Sequence, residues 1–215
     1  MILHSFSKTS PRRVRGPGAA LLLAALLLAS APASAGESLW AGSYRLEAEG
    51  RLAEALGMLD PVPVNGPDAE LRCLRRAWLL YLLGGHHESI REYRLAIERN
   101  GSSLDARLGL LLPLLALERW DEAQREARTI LDKAPHNYLA LLRLAVAQTG
   151  QKEWSGVVQS AQSLIAAFPS DAMGFLYLAR ARTGLGQKRE ATEAYRAVLV
   201  RQPDQAEAKA ALEQP

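Results

Sequence analysis

The chain has 215 residues, 48% of them hydrophobic and 23% charged, a globular balance that excludes a disordered or low-complexity protein beyond the N-terminus. The formal charge of +3 is misleading, because residues 1–35 hold four of the 26 basic residues (Lys8, Arg12, Arg13, Arg15) and no acid, leaving 22 basic against 23 acidic side chains, a net of −1. A nucleic-acid partner, which needs a basic surface, is therefore not expected.

In chain order, the first element is a secretory leader. Basic residues precede the apolar run Ala19 to Ala29, and small residues follow it, ending in Ala33-Ser34-Ala35. This order predicts a signal peptide over 1–35 with cleavage after Ala35, and so a periplasmic or secreted protein. The apolar run has 11 residues, short of the roughly 20 that span a bilayer as a helix. A retained leader acting as an anchor is the rival reading, and a membrane is a partner only in that case. Pro32 counts against it. Arg12-Arg13 is a weak twin-arginine hint and is more simply read as the ordinary basic flank. The single cysteine, Cys73, permits no intramolecular disulfide. It lies in an apolar helical stretch and is read as a buried structural thiol.

From residue 36 onwards the chain repeats every 34 residues. Pro67, Gly101, Pro135, Pro169 and Pro203 form one column of helix breakers. A second column is Ala55, Ser89, Ala123, Val157 and Ala191. The third, four residues later and so on the same helical face, is Leu59, Tyr93, Ala127, Ala161 and Tyr195. The fourth is Val62, Ala96, Ile130, Leu164 and Val198. Each copy divides into two helical patterns joined by a short turn: Glu49-Gly50-Arg51, Gly84-Gly85-His86, Glu118-Arg119-Trp120, Gly150-Gln151-Lys152 and Gly184-Leu185-Gly186. The copies are 36–69, 70–103, 104–137, 138–171 and 172–205. In the first, Pro61 and Pro63 truncate the second helix, which marks a degenerate N-terminal cap. In the third, Pro113 lies inside the first helix and should kink or shorten it, at about 3 kcal/mol. Residues 206–215 are expected to form a capping helix, since a terminal repeat must cover its exposed apolar face.

A helix–turn–helix unit of this length, with a small residue opening the second helix and a proline ending it, resembles the tetratricopeptide repeat. The copy 172–205 is clearest, with Phe175, Leu178 and Ala179 in its first helix and Ala191, Tyr195 and Pro203 after them. The copy 138–171 has Leu141, Leu144, Ala145, Ala161 and Pro169. The copy 104–137 departs, with Leu111 in place of a small residue and Arg107 in place of an apolar one. The resemblance covers about 36–205 and implies an all-α fold, a right-handed α-solenoid whose first helices line a concave groove.

That groove draws Trp40 and Tyr44 from copy one and Leu74, Arg75, Trp78 and Tyr81 from copy two. Copy three adds Leu108, Leu112 and Leu115, and copy four adds Leu142, Arg143 and Val146. Copy five contributes Leu176, Tyr177 and Arg180. Aromatic residues and arginine dominate binding hot spots, so the wall suits an extended or amphipathic segment with acidic positions. The aliphatic members equally suit packing between repeats. Trp120 and Trp154, 34 apart, are read as edge-packing residues. The lysine and asparagine set with which some relatives grip chaperone tails is replaced here mostly by Leu, Trp and Tyr, so that activity is not carried over.

No catalytic constellation is legible. His86-His87 has only Glu88 beside it and reads as a solvated turn, and His136 has no ligand-spaced partner. Gly184-Leu185-Gly186 lacks the Lys-Ser/Thr ending of a phosphate loop, and Asp121-Glu122 lies on a polar helix face. The sequence thus predicts a non-catalytic protein-binding scaffold or adaptor of the cell envelope, with a protein or peptide partner and no cofactor or metal. A membrane-tethered assembly factor and a self-assembling structural protein are the alternatives, and a homo-oligomer stays open.

Overall fold

The computed structural model describes residues 38–213, all of them within one compact unit, Gly36–Pro215. The leader expectation falls on residues outside that span. Among the described residues there are eleven helices and no strand. They are α1 (Leu39–Ala48), α2 (Leu52–Gly57), α3 (Ala69–Leu82), α4 (His86–Arg99), α5 (Leu104–Ala116), α6 (Trp120–Lys133), α7 (Tyr138–Gly150), α8 (Trp154–Ala167), α9 (Ala172–Gly184), α10 (Lys188–Arg201) and α11 (Ala206–Glu213). None of these is long and apolar enough to cross a membrane.

The 34-residue period is written into the helix boundaries. Second helices begin at His86, Trp120, Trp154 and Lys188, and first helices at Leu104, Tyr138 and Ala172. Two polar devices set these limits. The residue before each of these three first helices caps it: Ser103, Asn137 and Asp171 accept hydrogen bonds from the amides of Ala106, Ala140 and Met173, each cap being worth about 1 kcal/mol. At the other end, Gly50, Gly84, Glu118, Lys152 and Gly186 share the left-handed conformation, with φ between 54° and 79°. In each turn the amide of that residue and the next reach back to helix carbonyls, as Glu118 does to Leu115 and Arg119 to Leu114. This is the Schellman closure. Glycine takes that φ freely, whereas Glu118 and Lys152 adopt it at a steric cost.

The second, third and fourth columns face inward with every member buried, whereas the helix breakers of the first column lie exposed between repeats. The opening residue of the second helix meets the first helix closely enough for Ser89 to donate to the Ala77 carbonyl at 2.8 Å and for Ser43 to donate to that of Ala55 at 2.9 Å. Leu111 stands where a small residue is expected. It is fully buried in the cluster that holds Ala123 and Ala127, whose small volumes offset its own. Between repeats, Trp120 lies over Gly150 and Trp154 over Gly184, so close that a Cβ on either glycine would meet the indole at 2.6 Å or 2.3 Å. Cys73 is buried, and burial pushes its thiol pKa up, which suits a structural thiol.

Pro113 does not shorten its helix. α5 keeps 13 residues, as α7 and α9 do. The pyrrolidine ring is buried among core leucines, and that apolar burial offsets the missing backbone hydrogen bond. Copy one has a second helix of 6 residues against 14 in α4, with Pro61 and Pro63 just beyond it.

First helices touch the next first helices, α3 with α5, α5 with α7 and α7 with α9, whereas second helices pack mainly on first helices. Like helices approach only on the inner side of a curved stack. The first helices therefore form its concave wall.

Candidate functional site

The N-terminal part of that wall is organised by one buried cation. Arg75 is 4% exposed because three groups of α1 enclose it. Its Nε donates to Ser43 Oγ at 3.1 Å, its Nη2 to the Ser43 carbonyl at 2.8 Å, and its Nη1 to the Glu47 carboxylate. The Tyr44 ring covers the guanidinium, 3.9 Å from Cζ to centroid. Glu47 also accepts from Trp78 Nε1 at 2.6 Å. Burial opposes the Glu47 charge, but the bonds from Trp78 and Arg75 outweigh it and hold the carboxyl below its usual pKa. Arg75 is thus no free groove cation. It packs against the Tyr44 ring and shares Glu47 with Trp78, so both aromatic side chains are tied to one buried group.

Over this frame lies an open cleft of about 470 Å³, lined by Tyr44, Glu47, Leu71, Leu74, Arg75, Trp78, Tyr93 and Asp105. Tyr44 is 52% and Leu71 40% exposed. Four groove residues of the sequence reading therefore meet here: Tyr44, Leu74, Arg75 and Trp78. Tyr81 stands beside them, its ring 5.9 Å from that of Trp78 and 5.5 Å from that of His86.

The other groove residues are placed elsewhere. Trp40 packs against the core formed by Leu46, Leu59 and Leu79. Leu108 and Leu115 pack against the central core and Leu142 and Val146 against the next one. Leu112 is half-buried and Leu176 buried. Arg143 is half-buried, and its Nη1 donates to the Leu108 carbonyl at 2.5 Å. Burial pushes its pKa down. Tyr177 and Arg180 form a separate group with α11. Arg180 lies 5.1 Å from the Tyr177 ring centroid and is paired with Glu207, whose bond raises the arginine pKa. Tyr177 is buried, which raises its own.

Two cleft residues were not legible as such. Tyr93 sits in the third column and reads as core. Its ring reaches the cleft because Gly109 leaves room, a Cβ there lying 2.2 Å from the ring. Glu47, which orients both Arg75 and Trp78, falls on a polar helix face with nothing in the sequence to single it out. Among the described residues no group of three or more His, Cys, Asp or Glu is placed to hold a metal.

No protein-family model matches the sequence, and no curated protein does. Solved structures match the fold. A fragment of MamA from Desulfovibrio magneticus RS-1, residue 41 to its end, superposes with a TM-score of 0.70 at 16% identity, over 76% of this chain and 93% of that one. A tetratricopeptide repeat protein from Parabacteroides merdae gives 0.72 at 14%, over 81% and 69%. YrrB, described as a tetratricopeptide repeat protein with an unusual peptide-binding site, gives 0.69 at 14%, over 80% and 89%.

Proposed function

We propose that this chain, a solenoid with the tetratricopeptide-repeat fold, is a non-catalytic scaffold that holds a segment of a partner protein on its concave wall. The observation that carries this reading is the cleft above Arg75. Tyr44, Leu71 and Trp78 offer aromatic and apolar area there, on a frame tied by the bonds of Arg75 and Glu47. Large, rigid aromatic residues in a concave site are the usual source of binding energy. The fold shared with YrrB, a protein with a peptide-binding site, supports a ligand of peptide length.

The test is site-specific photo-crosslinking in the source cells, with the probe at Tyr44 and, as a control on the opposite face, at the exposed Arg125 of α6. A discrete adduct from Tyr44 alone is expected. Adding Trp78→Ala should reduce it about tenfold while the melting temperature falls by only a few degrees. Adducts from neither site, or equal adducts from both, overturn the groove. A product containing only a second copy of the chain would make it a self-assembling protein instead.

The cell envelope as its location rests on the leader pattern of residues 1–35. The mass of the mature protein decides it. Loss of the first 35 residues supports an exported, untethered scaffold, and an intact leader favours the membrane-tethered assembly factor.

A further inference from the structure

We infer that the floor of this groove carries a receptor for one carboxylate side chain of the bound segment, built from the guanidinium of Arg143 and the hydroxyl of Tyr93. The inference rests on the groove reading above and names the chemistry the groove selects. Its first support is an imbalance among the arginines of the first helices. Arg75 is paired with Glu47, Arg76 with Glu92, Arg107 with Glu126 and Arg180 with Glu207. Arg143, like Arg72 of α3 and Arg182 of α9, has no carboxylate partner among the described residues; its one hydrogen bond goes to the Leu108 carbonyl, beside the Gly109 against which the Tyr93 ring lies. A guanidinium presents five N–H donors in a planar fork and keeps its charge at neutral pH. A half-buried one with a single neutral acceptor leaves most of that capacity open, where an incoming carboxylate would gain a charge-assisted, bidentate bond.

The second support is independent of the charge. Tyr93 is 4% exposed, yet it lines the cleft, and its hydroxyl has no hydrogen-bond partner among the described residues. Gly109 is what admits it, since a Cβ at that position would lie 2.7 Å from the hydroxyl oxygen. Tyr195 occupies the same place in its own repeat and reaches Glu207 at 3.4 Å. A phenol hydroxyl left without a protein partner at the edge of a cleft keeps its donor available to a ligand. Tyr93 and Arg143 each act on the other electrostatically, and Tyr81 acts on both. Arg143 is held at Leu108 and Tyr93 lies against the adjoining Gly109 at the edge of the cleft, and two neighbouring donors of this kind select an acceptor that carries negative charge. Glu47 cannot serve from within the chain, because its oxygens are committed to Arg75 and Trp78. Asp105, the other acid on the cleft, is exposed in the first turn of α5.

The experiment uses the full chain and arrayed, acetylated and amidated 12-residue peptides bearing aromatic residues and one Glu, against twins with Gln in its place. Affinities of the binders follow from fluorescence anisotropy. Glu peptides should bind about tenfold more tightly than their Gln twins, as one charge-assisted bond of this kind supplies. The ratio should fall towards one in Arg143→Met and to an intermediate value in Tyr93→Phe, because the Glu affinity falls more than the Gln affinity. Arg143→Lys keeps the charge without the fork and should lose most of the preference, which serves if the Met variant does not fold. Equal affinity for Glu and Gln, or a preference that survives Arg143→Met, overturns the inference while binding itself leaves the groove standing. Failure to bind either twin overturns the groove reading and this one with it. A preference shown only by peptides with a free C-terminus, or a far stronger one for phosphoserine twins, overturns the carboxylate side chain as the ligand.

Discussion

The Arg75 side chain shows how one buried residue can frame a cleft. Its guanidinium is buried, which is costly for a lone charge, and Glu47 together with the Ser43 carbonyl and hydroxyl compensates. Glu47→Gln should destabilise the fold by about 3 kcal/mol, because an arginine is then left buried without its counter-charge. The pH dependence follows from the same pair. The folded Glu47 carboxyl lies below its usual value, so its contribution is fully present above the unfolded pKa of about 4.3 and is lost as pH falls through the lower folded value. Urea melts between pH 3 and 7 should therefore show less acid-side loss in Glu47→Gln than in the parent. An identical acid slope in both would remove the pair from the account. Sequence spacing alone suggests an exposed Arg75, because it fixes which wall a side chain belongs to and not how deep it lies. Depth here depends on Ser43 and Glu47, about 30 residues earlier, which approach only when α1 stacks on α3.

The helix is where the repeat is most legible. Columns of small, branched and aromatic residues at 34-residue spacing predict the buried face of the second helices, and each of those positions is buried. The turns hold information that the columns do not. Glycines at 50, 84 and 186 lie in register, but the same left-handed position is taken by Glu118 and Lys152, whose side chains conceal it in the sequence. Replacing either with glycine should relieve that strain and raise stability by about 1 kcal/mol, while Gly50→Ala should lower it by a similar amount. The two gains should add, since the positions are far apart and share no partner. Denaturant midpoints shifting at constant slope would show this, and no shift in either variant would deny the strain. Pro113 teaches the converse. A local rule predicts a shortened helix, and the fully buried ring sits in one of full length.

At the scale of the molecule, a solenoid is held by contacts between neighbours, so damage should stay local. α11 covers Leu176, Tyr195 and Val198 of the last repeat and supplies Glu207 to Arg180. Removing residues 206–215 should therefore loosen α9 and α10 and leave the stack from α3 to α6 intact. Hydrogen exchange resolved by helix would read this as faster exchange in the last two helices only. Uniform acceleration along the chain would mean that the repeats fold as a single cooperative block and not as coupled units.

The sequence by itself determined the fold class, the 34-residue period and the face that the second helices bury. These follow from periodicity, a local property that survives reading along one dimension. It also placed Tyr44, Leu74 and Trp78 on the wall that carries the cleft. Tertiary structure alone decided which polar groups are satisfied. Arg75 meets Glu47 across 28 residues, Arg143 meets only a carbonyl, and Tyr93 reaches the cleft through the space beside Gly109. Pairing of charges and hydroxyls is set by distances between separate repeats, and a linear pattern of residue types does not contain those distances.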